Sequence, residues 1–418
     1  MNKLNHYLKI IGPGMLTAAT GVGAGDLATG SIVGSLLGTA ILWAVIVGAY
    51  MKYVMTEGVA RWQLATGTTL LEGVTIHFGR VAAWIFLPYL LLFSYFIGTA
   101  MMSACGVTLH AIFPVFDDPV AGKNYFGVAA GLVGLVMAYK GGYGLFEKIM
   151  HTCIAVKFVA TVVTALLLWP GMWVVLSGIF IPTIPDFSGE GLTWTIALIG
   201  GVGGTVTVLS YGYWIREEGR LDIKDLPDSR IDLAVGYTMT ALFCLSMVII
   251  GSNITVEGGG VTLLVKLSNQ IGSELGVWGK WMFLIGAFGT VFGSLLGVWQ
   301  SIPYIFADTW RLATRKLDIE TIRKESADNG KNRKVYHVFM VLIATVPMLG
   351  LFTSFQKAQQ LYTVTGAYFF PLLAIVLLLL NSRGEWVGEK YKYGPFSIIT
   401  LVVVLAFFLW ATAMNIQL

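Results

Sequence analysis

Charge is the scarcest commodity in this sequence. Of 418 residues only 12% are Asp, Glu, Lys or Arg against 56% hydrophobic, and the mean hydropathy is +0.75. A chain so poor in charge cannot clothe an ordinary water-soluble domain. Cysteine is nearly absent: Cys105, Cys153 and Cys244 all fall in apolar stretches. They read as packing residues, which excludes a disulfide framework or a cysteine metal cluster. His77, His110, His151 and His337 stand near the ends of apolar stretches without partners at metal-ligand spacing, and His6 lies in the N-terminal tail. No P-loop, nucleophile elbow or zinc-protease signature occurs, so neither an enzyme nor a self-contained nucleotide-driven pump is supported, and no cofactor is implied. No small-residue cleavage site follows Met1–Lys9, so no cleavable signal is expected.

What fills the chain is long apolar runs. Stretches of about 18 residues or more read as membrane-spanning helices. About eleven occur, roughly at 10–36, 38–60, 82–112, 124–140, 146–169, 194–215, 230–252, 279–306, 335–353, 358–381 and 395–414. Lys and Arg fall unevenly between the loops. With the N-terminus inside, the inner segments carry Arg61, Arg80, Lys140, Arg216, Arg220, Arg230, Arg311, Arg315, Arg383 and more, while the outer ones hold only Lys123, Lys266, Lys280 and Lys357. That bias puts the N-terminus in the cytoplasm of a cell with this protein in its plasma (inner) membrane, and an odd span count puts the C-terminus outside. The basic run at 311–334 reads as a solvated cytoplasmic loop rather than a nucleic-acid site.

Two spans are broken by glycine. One holds Gly12-Pro13-Gly14, then Gly21, Gly23, Gly25 and Asp26; the other holds Gly200, Gly201, Gly203 and Gly204 before Thr207 and Ser210. Each glycine costs a helix about 1 kcal/mol relative to alanine, so these spans are poorly suited to continuous helix. Helices unwound within the membrane leave backbone carbonyls and half-helix ends unpartnered, and transporters hold substrate with such groups. A carboxylate inside a span, such as Asp26, is a functional-site candidate by default. The broken spans are the first and the sixth, and they run in opposite directions. That is the relation expected of an inverted repeat, with repeat one over about 10–180, repeat two over about 190–381, and an extra helix over about 395–414. A channel, or glycines that merely allow close helix packing, are the competing explanations.

Each candidate residue has a plainer role beside the functional one. Asp26, as first residue of the second half-helix, is a favoured N-cap; one oxygen can cap while the other faces the cavity. Glu57 is a second carboxylate within a span. It either pairs with Arg61 one turn on or carries protons. Tyr211, Tyr213 and Trp214 either form an interfacial belt or line a pocket for an organic cation. Lys157 is expected to snorkel or pair internally.

Four motifs resemble the NRAMP divalent-metal transporters. Gly12-Pro13-Gly14-Met15-Leu16 with Leu27-Ala28-Thr29 looks like their first helix, and Arg61 with Ala65-Thr66-Gly67, Leu70 and Glu72 resembles the segment after their second. Tyr143-Gly144-Leu145-Phe146-Glu147 resembles the start of the fifth helix, and Gly203-Gly204-Thr205-Val206-Thr207 takes the place of the sixth-helix motif. The resemblance implies a leucine-transporter-type fold of two inverted five-helix repeats plus one further helix, all α-helical, with helices 1 and 6 broken. It also implies a secondary transporter with substrate between those helices.

The metal motifs depart from the family pattern. In it the metal is held by the Asp and Asn of the first helix and the Met of the sixth. Those positions fall on Gly23, Asp26 and Thr207, and the sixth-helix His falls on Leu209. The third-helix acids linked to proton coupling fall on Leu92 and Tyr95. With a hydroxyl where the thioether stood, the donor set becomes oxygen: Asp26, Thr207 with Ser210 or Thr20, and carbonyls near Gly23 and Gly204. Such donors suit Mg²⁺ or Mn²⁺. Asp26 and Thr207 are the expected metal ligands, Gly23, Gly204, Ser210 and Tyr211 the surrounding site, and Glu57 a candidate coupling group. The expected activity is inward movement of a divalent cation with weak or absent proton coupling. The alternative is a scaffold carrying a monovalent cation, an amine or an amino acid.

Overall fold

The computed structural model of the chain describes residue 14 and residues 22–187, 189–253, 260–315, 320–322 and 333–416. Thr20, His6 and the basic stretch 323–332 lie outside the described residues, as do the side chains of His151, Cys153, Lys157 and the others over 141–157.

The described elements are helices, and their ends follow local chemistry. Helix α1, Ala24–Leu37, is the second half of span one; a short turn, Gly38–Ile41, leads into α2, Leu42–Thr66. Gly67, in the left-handed region at φ 71°, terminates α2. Thr69 and Glu72 then form a capping box that starts α3, Leu70–Phe78: the Thr69 hydroxyl accepts from the Glu72 N–H and the Glu72 carboxylate from the Thr69 N–H. Helix α4 is Arg80–Ile112.

Helix α5, Pro119–Leu167, begins with Asp118 capping Val120 and Ala121 and with proline at its first turn. It differs from the sequence reading, which separates spans four and five by a loop near 140–146. Gly141 and Gly142 weaken a helix without removing a hydrogen-bond donor, and no proline stands there, so the helical backbone continues. The break comes later. At Pro170 and Gly171 the chain turns by 116° into α6, Met172–Phe180.

The second half comprises α7, Glu190–Gly201; α8, Ser210–Glu217; α9, Leu226–Gly251; and α10, Leu263–Thr314, which is interrupted at Gly276. Then follow α11, Arg333–Thr345; α12, Phe355–Ala367; α13, Phe369–Asn381; the one-turn α14, Gly384–Val387; and α15, Pro395–Ile416. Among the described residues eight helices are long and apolar enough to cross a membrane, nine if the bent pair at 158–180 counts as one span, and the last helix is a shorter apolar one. These helices fit the all-helical membrane architecture that the resemblance implies. The broken spans pack reciprocally: α1 lies on α9, and α7 lies on α2 as well as on α12. The first helix of each half thus meets the second of the other, and both breaks come to the centre of the bundle.

Candidate functional site

The break in span six is built by two left-handed glycines. Helix α7 stops at Gly201, Gly203 and Gly204 take φ of 72° and 89°, and a 3-10 turn, Val206–Leu209, feeds α8. L-residues with a side chain rarely adopt such φ values, and a Cβ at Gly203 would also press on the Tyr237 ring. The unwinding leaves carbonyls at the C-terminal end of a half-helix without partners from their own helix, a local excess of negative potential.

Asp26 meets this break from the other broken span. Helix α1 starts at Ala24, so Asp26 is its third residue and not the N-cap the sequence suggested; Gly23 is the cap. The carboxylate reaches back, accepting from the Gly23 N–H at 3.2 Å through Oδ2. Its other oxygen crosses to the sixth span, accepting from the Gly203 N–H at 3.3 Å and from the Cys244 thiol at 2.8 Å. Capping and facing the break therefore coexist in one buried side chain. The approach is tight, because a Cβ on Gly23 would collide with the Ser294 hydroxyl of α10.

The freed carbonyls of span six are taken by a lysine. Lys52, in the middle of α2 and fully buried, donates to Gly200 O at 2.7 Å, Val202 O at 2.9 Å and Gly204 O at 2.5 Å. An ammonium has three donors and no acceptor, so three carbonyls match it completely. The Phe370 ring lies 4.1 Å from the same nitrogen, which adds a cation–π contact. Lys52 and Asp26, of opposite formal charge, thus bond to adjacent residues of the break, Gly204 through its carbonyl and Gly203 through its N–H.

The other sequence candidates scatter around this centre. Gly23 and Gly204 belong to it. Thr207 is buried in the 3-10 turn, and the Ser210 hydroxyl just after is buried without a hydrogen-bond partner. Tyr211 is engaged elsewhere: its hydroxyl donates to Asp232 Oδ2 at 3.1 Å and lies 3.2 Å from Ser229 O. Tyr213 donates to Asp308 at 2.7 Å, and Trp214 is buried, so these aromatics form no interfacial belt; two carboxylates draw the hydroxyls inward. Glu57 sits against two guanidinium groups, with Arg61 at 2.6 Å and Arg230 at 2.9 Å. Among the described residues no three His, Cys, Asp or Glu side chains converge as metal ligands.

Sequence reasoning missed Lys52, Cys244, Asp232 and the buried cluster of Glu72, Asp308 and Arg311. Lys52 and Asp232 were findable, since a charge inside an apolar span is itself the signal. Cys244 was read as packing, and only the crossing of α9 over α1 brings its thiol to Asp26.

Comparison with known proteins agrees with this architecture. The chain is 25% identical over 270 residues to an uncharacterized protein of Pasteurella multocida, covering 62% of this chain and 60% of that one. It is 24% identical over 193 residues to the divalent metal cation transporter MntH of Klebsiella pneumoniae, covering 46% and 45%. The matches thus span about half the length of these curated relatives. Among solved structures, a manganese transporter of Eremococcus coleocola superposes with a TM-score of 0.69 at 15% identity, covering 99% of this chain and 87% of that one. MhsT in complex with L-phenylalanine superposes at 0.59 and 15% identity, covering 97% of both chains. The family description "Natural resistance-associated macrophage protein-like" matches residues 14–417, and the chain is a member of that Nramp family.

Proposed function

We propose that this protein is a secondary transporter moving a divalent cation such as Mn²⁺ or Mg²⁺ into the cytoplasm, through an oxygen-donor site where the two broken spans meet. A relative at 24% identity is a divalent metal cation transporter, and a manganese transporter shares the fold. The observation that carries the reading is Asp26. A buried carboxylate joins the half-helix of span one to the unwound backbone of span six through Gly203, beside the carbonyl of Gly204. The ligands in this proposal are Asp26 and Thr207, with Gly23, Gly204 and Ser210 around them. Tyr211 acts as a support for the sixth span rather than as a contact. The chain would sit in the plasma membrane with its N-terminus in the cytoplasm and its C-terminus outside, the site lying between repeats at about 10–180 and 190–381.

Proton cotransport would be weak or absent. Leu92 and Tyr95 stand at the third-span acid positions, and Leu92 is half exposed on the flank of α4. Glu57, the remaining candidate carrier, is held by Arg61 and Arg230.

A second reading has its own observation. Lys52 cancels the one carboxylate at the break, and no further metal-binding side chains converge there among the described residues. A site with no net charge favours a non-metal substrate, such as an amino acid or an amine. Uptake of Mn²⁺ by proteoliposomes with a lumenal pH dye separates the two. The expected result is saturable uptake without lumenal acidification, lost in Asp26→Asn while the variant remains monodisperse. No uptake of any dication would turn the search to organic substrates, and uptake with acidification in step would refute the coupling assignment.

A further inference from the structure

The sixth-span break already binds a cation, and that cation belongs to the protein. We propose that Lys52 is a specificity-determining residue: a tethered ammonium that holds the substrate-cation position at the break and must be displaced for substrate to bind. The inference rests on the reading of this junction as a cation site.

Three features carry it. The carbonyls of Gly200, Val202 and Gly204 converge on one nitrogen at 2.5–2.9 Å, with a ring face 4.1 Å away. Carbonyl oxygens at the C-terminus of a broken half-helix are the groups transporters use to coordinate cations. Lys52 also comes from a different element, α2, which has its own intact hydrogen bonding. The ammonium is therefore not needed to complete its own helix; its three donors serve the break alone.

The groups facing the ammonium define what its departure would leave. Asp26 of α1 is held at the same break by the Gly203 N–H and by the Cys244 thiol of α9, one residue from the Gly204 carbonyl that Lys52 takes. On α2 itself Glu57 is engaged by Arg61 and Arg230. Asp26 is thus the one carboxylate beside the break among the described residues, and with Lys52 in place its charge is already balanced. A substrate cation gains these oxygens only as the ammonium loses them. The arrangement sets a threshold: ions that bind carbonyl and carboxylate oxygen weakly fail to displace Lys52, and a dication succeeds through its double charge. The long lysine stem allows the ammonium to swing out without moving α2.

The test is isothermal titration of the purified protein with Mn²⁺ at one pH, comparing wild type with Lys52→Ala, Lys52→Met and Lys52→Arg. Each variant is first checked for a monodisperse elution profile. The expected result is affinity at least tenfold higher in Lys52→Ala and Lys52→Met, and no gain in Lys52→Arg. Propylammonium added to Lys52→Ala should compete with Mn²⁺ and remove the gain, an effect a merely structural lysine would not give. If the neutral variants do not fold, the wild type carries the test alone. The Lys52 Nζ resonance of ¹⁵N-lysine-labelled protein should shift on saturation with Mg²⁺, and an unchanged resonance overturns the proposal. Binding by wild type that Lys52→Ala leaves equal or weaker overturns the role of Lys52 and spares the cation site. No dication binding by wild type or by any folded variant overturns the cation-site reading and this inference together.

Discussion

Two buried ionic regions of this protein solve the same problem with different partners. Beneath the centre of the bundle, Arg311 meets Glu72 at 2.5 Å and Asp308 at 2.7 Å, while Thr69 and Tyr213 donate to the second oxygen of Asp308. There, apart from the Thr69 N–H on Glu72, side chains satisfy side chains, and α3 is pinned to α10 and α8. At the breaks, Asp26 and Lys52 are satisfied mainly by main-chain groups that unwinding released, the N–H of Gly23 and Gly203 and the carbonyls of Gly200, Val202 and Gly204. Arg311 Nη2 donates to both carboxylates at once, so a neutral side chain there would leave both without their cation. The carbonyl cage, in contrast, is filled by a side chain on a flexible stem, which is what the proposed displacement of Lys52 requires. The first region is built to hold, and the proposed exchange of cations belongs to the second.

That contrast is broken most forcefully at the holding region. Arg311→Ala leaves two carboxylates buried without their cation and is expected to lower stability by about 3–5 kcal/mol, read from thermal unfolding in detergent. If the loss is below about 1 kcal/mol, the cluster is not the lock described here. Gly203→Ala tests whether the break needs its left-handed backbone. A side chain at φ 72° facing Tyr237 is expected to cost about 1–3 kcal/mol in the same assay and to weaken cation binding with it. Cys244→Ala is the mildest probe. It removes a weak donor from Asp26 Oδ1, which keeps the Gly203 N–H, so a loss of about 0.5 kcal/mol is expected, with Mn²⁺ affinity within a few-fold of wild type. A large loss of binding would place the thiol among the groups that hold substrate.

Much of this was legible in the order of residues. Apolar run length marked the spans because a lipid core of fixed thickness demands helices of matching length. The glycine clusters marked the breaks, since glycine is cheap in a left-handed turn and costly in a helix. The motifs around Gly12, Arg61 and Gly203 marked the family. Other features were legible only in part. Asp26 could be seen as an intramembrane carboxylate, but its being third in α1 and not the cap depended on where the helix actually restarts. The continuous helix through 140–146 escaped because paired glycines weaken a helix without forbidding it.

The sequence by itself therefore determined a multi-spanning helical membrane protein of the Nramp family, with two spans that glycine clusters make poor continuous helices. Those features follow from composition and local backbone preference, which act within a few residues. Only the tertiary structure decided what fills the breaks. Lys52 is 148 residues from Gly200 in the chain, and Cys244 is 218 residues from Asp26. Burial of a charge is tolerable only where partners converge from several helices at once, and no local pattern records which helices those are.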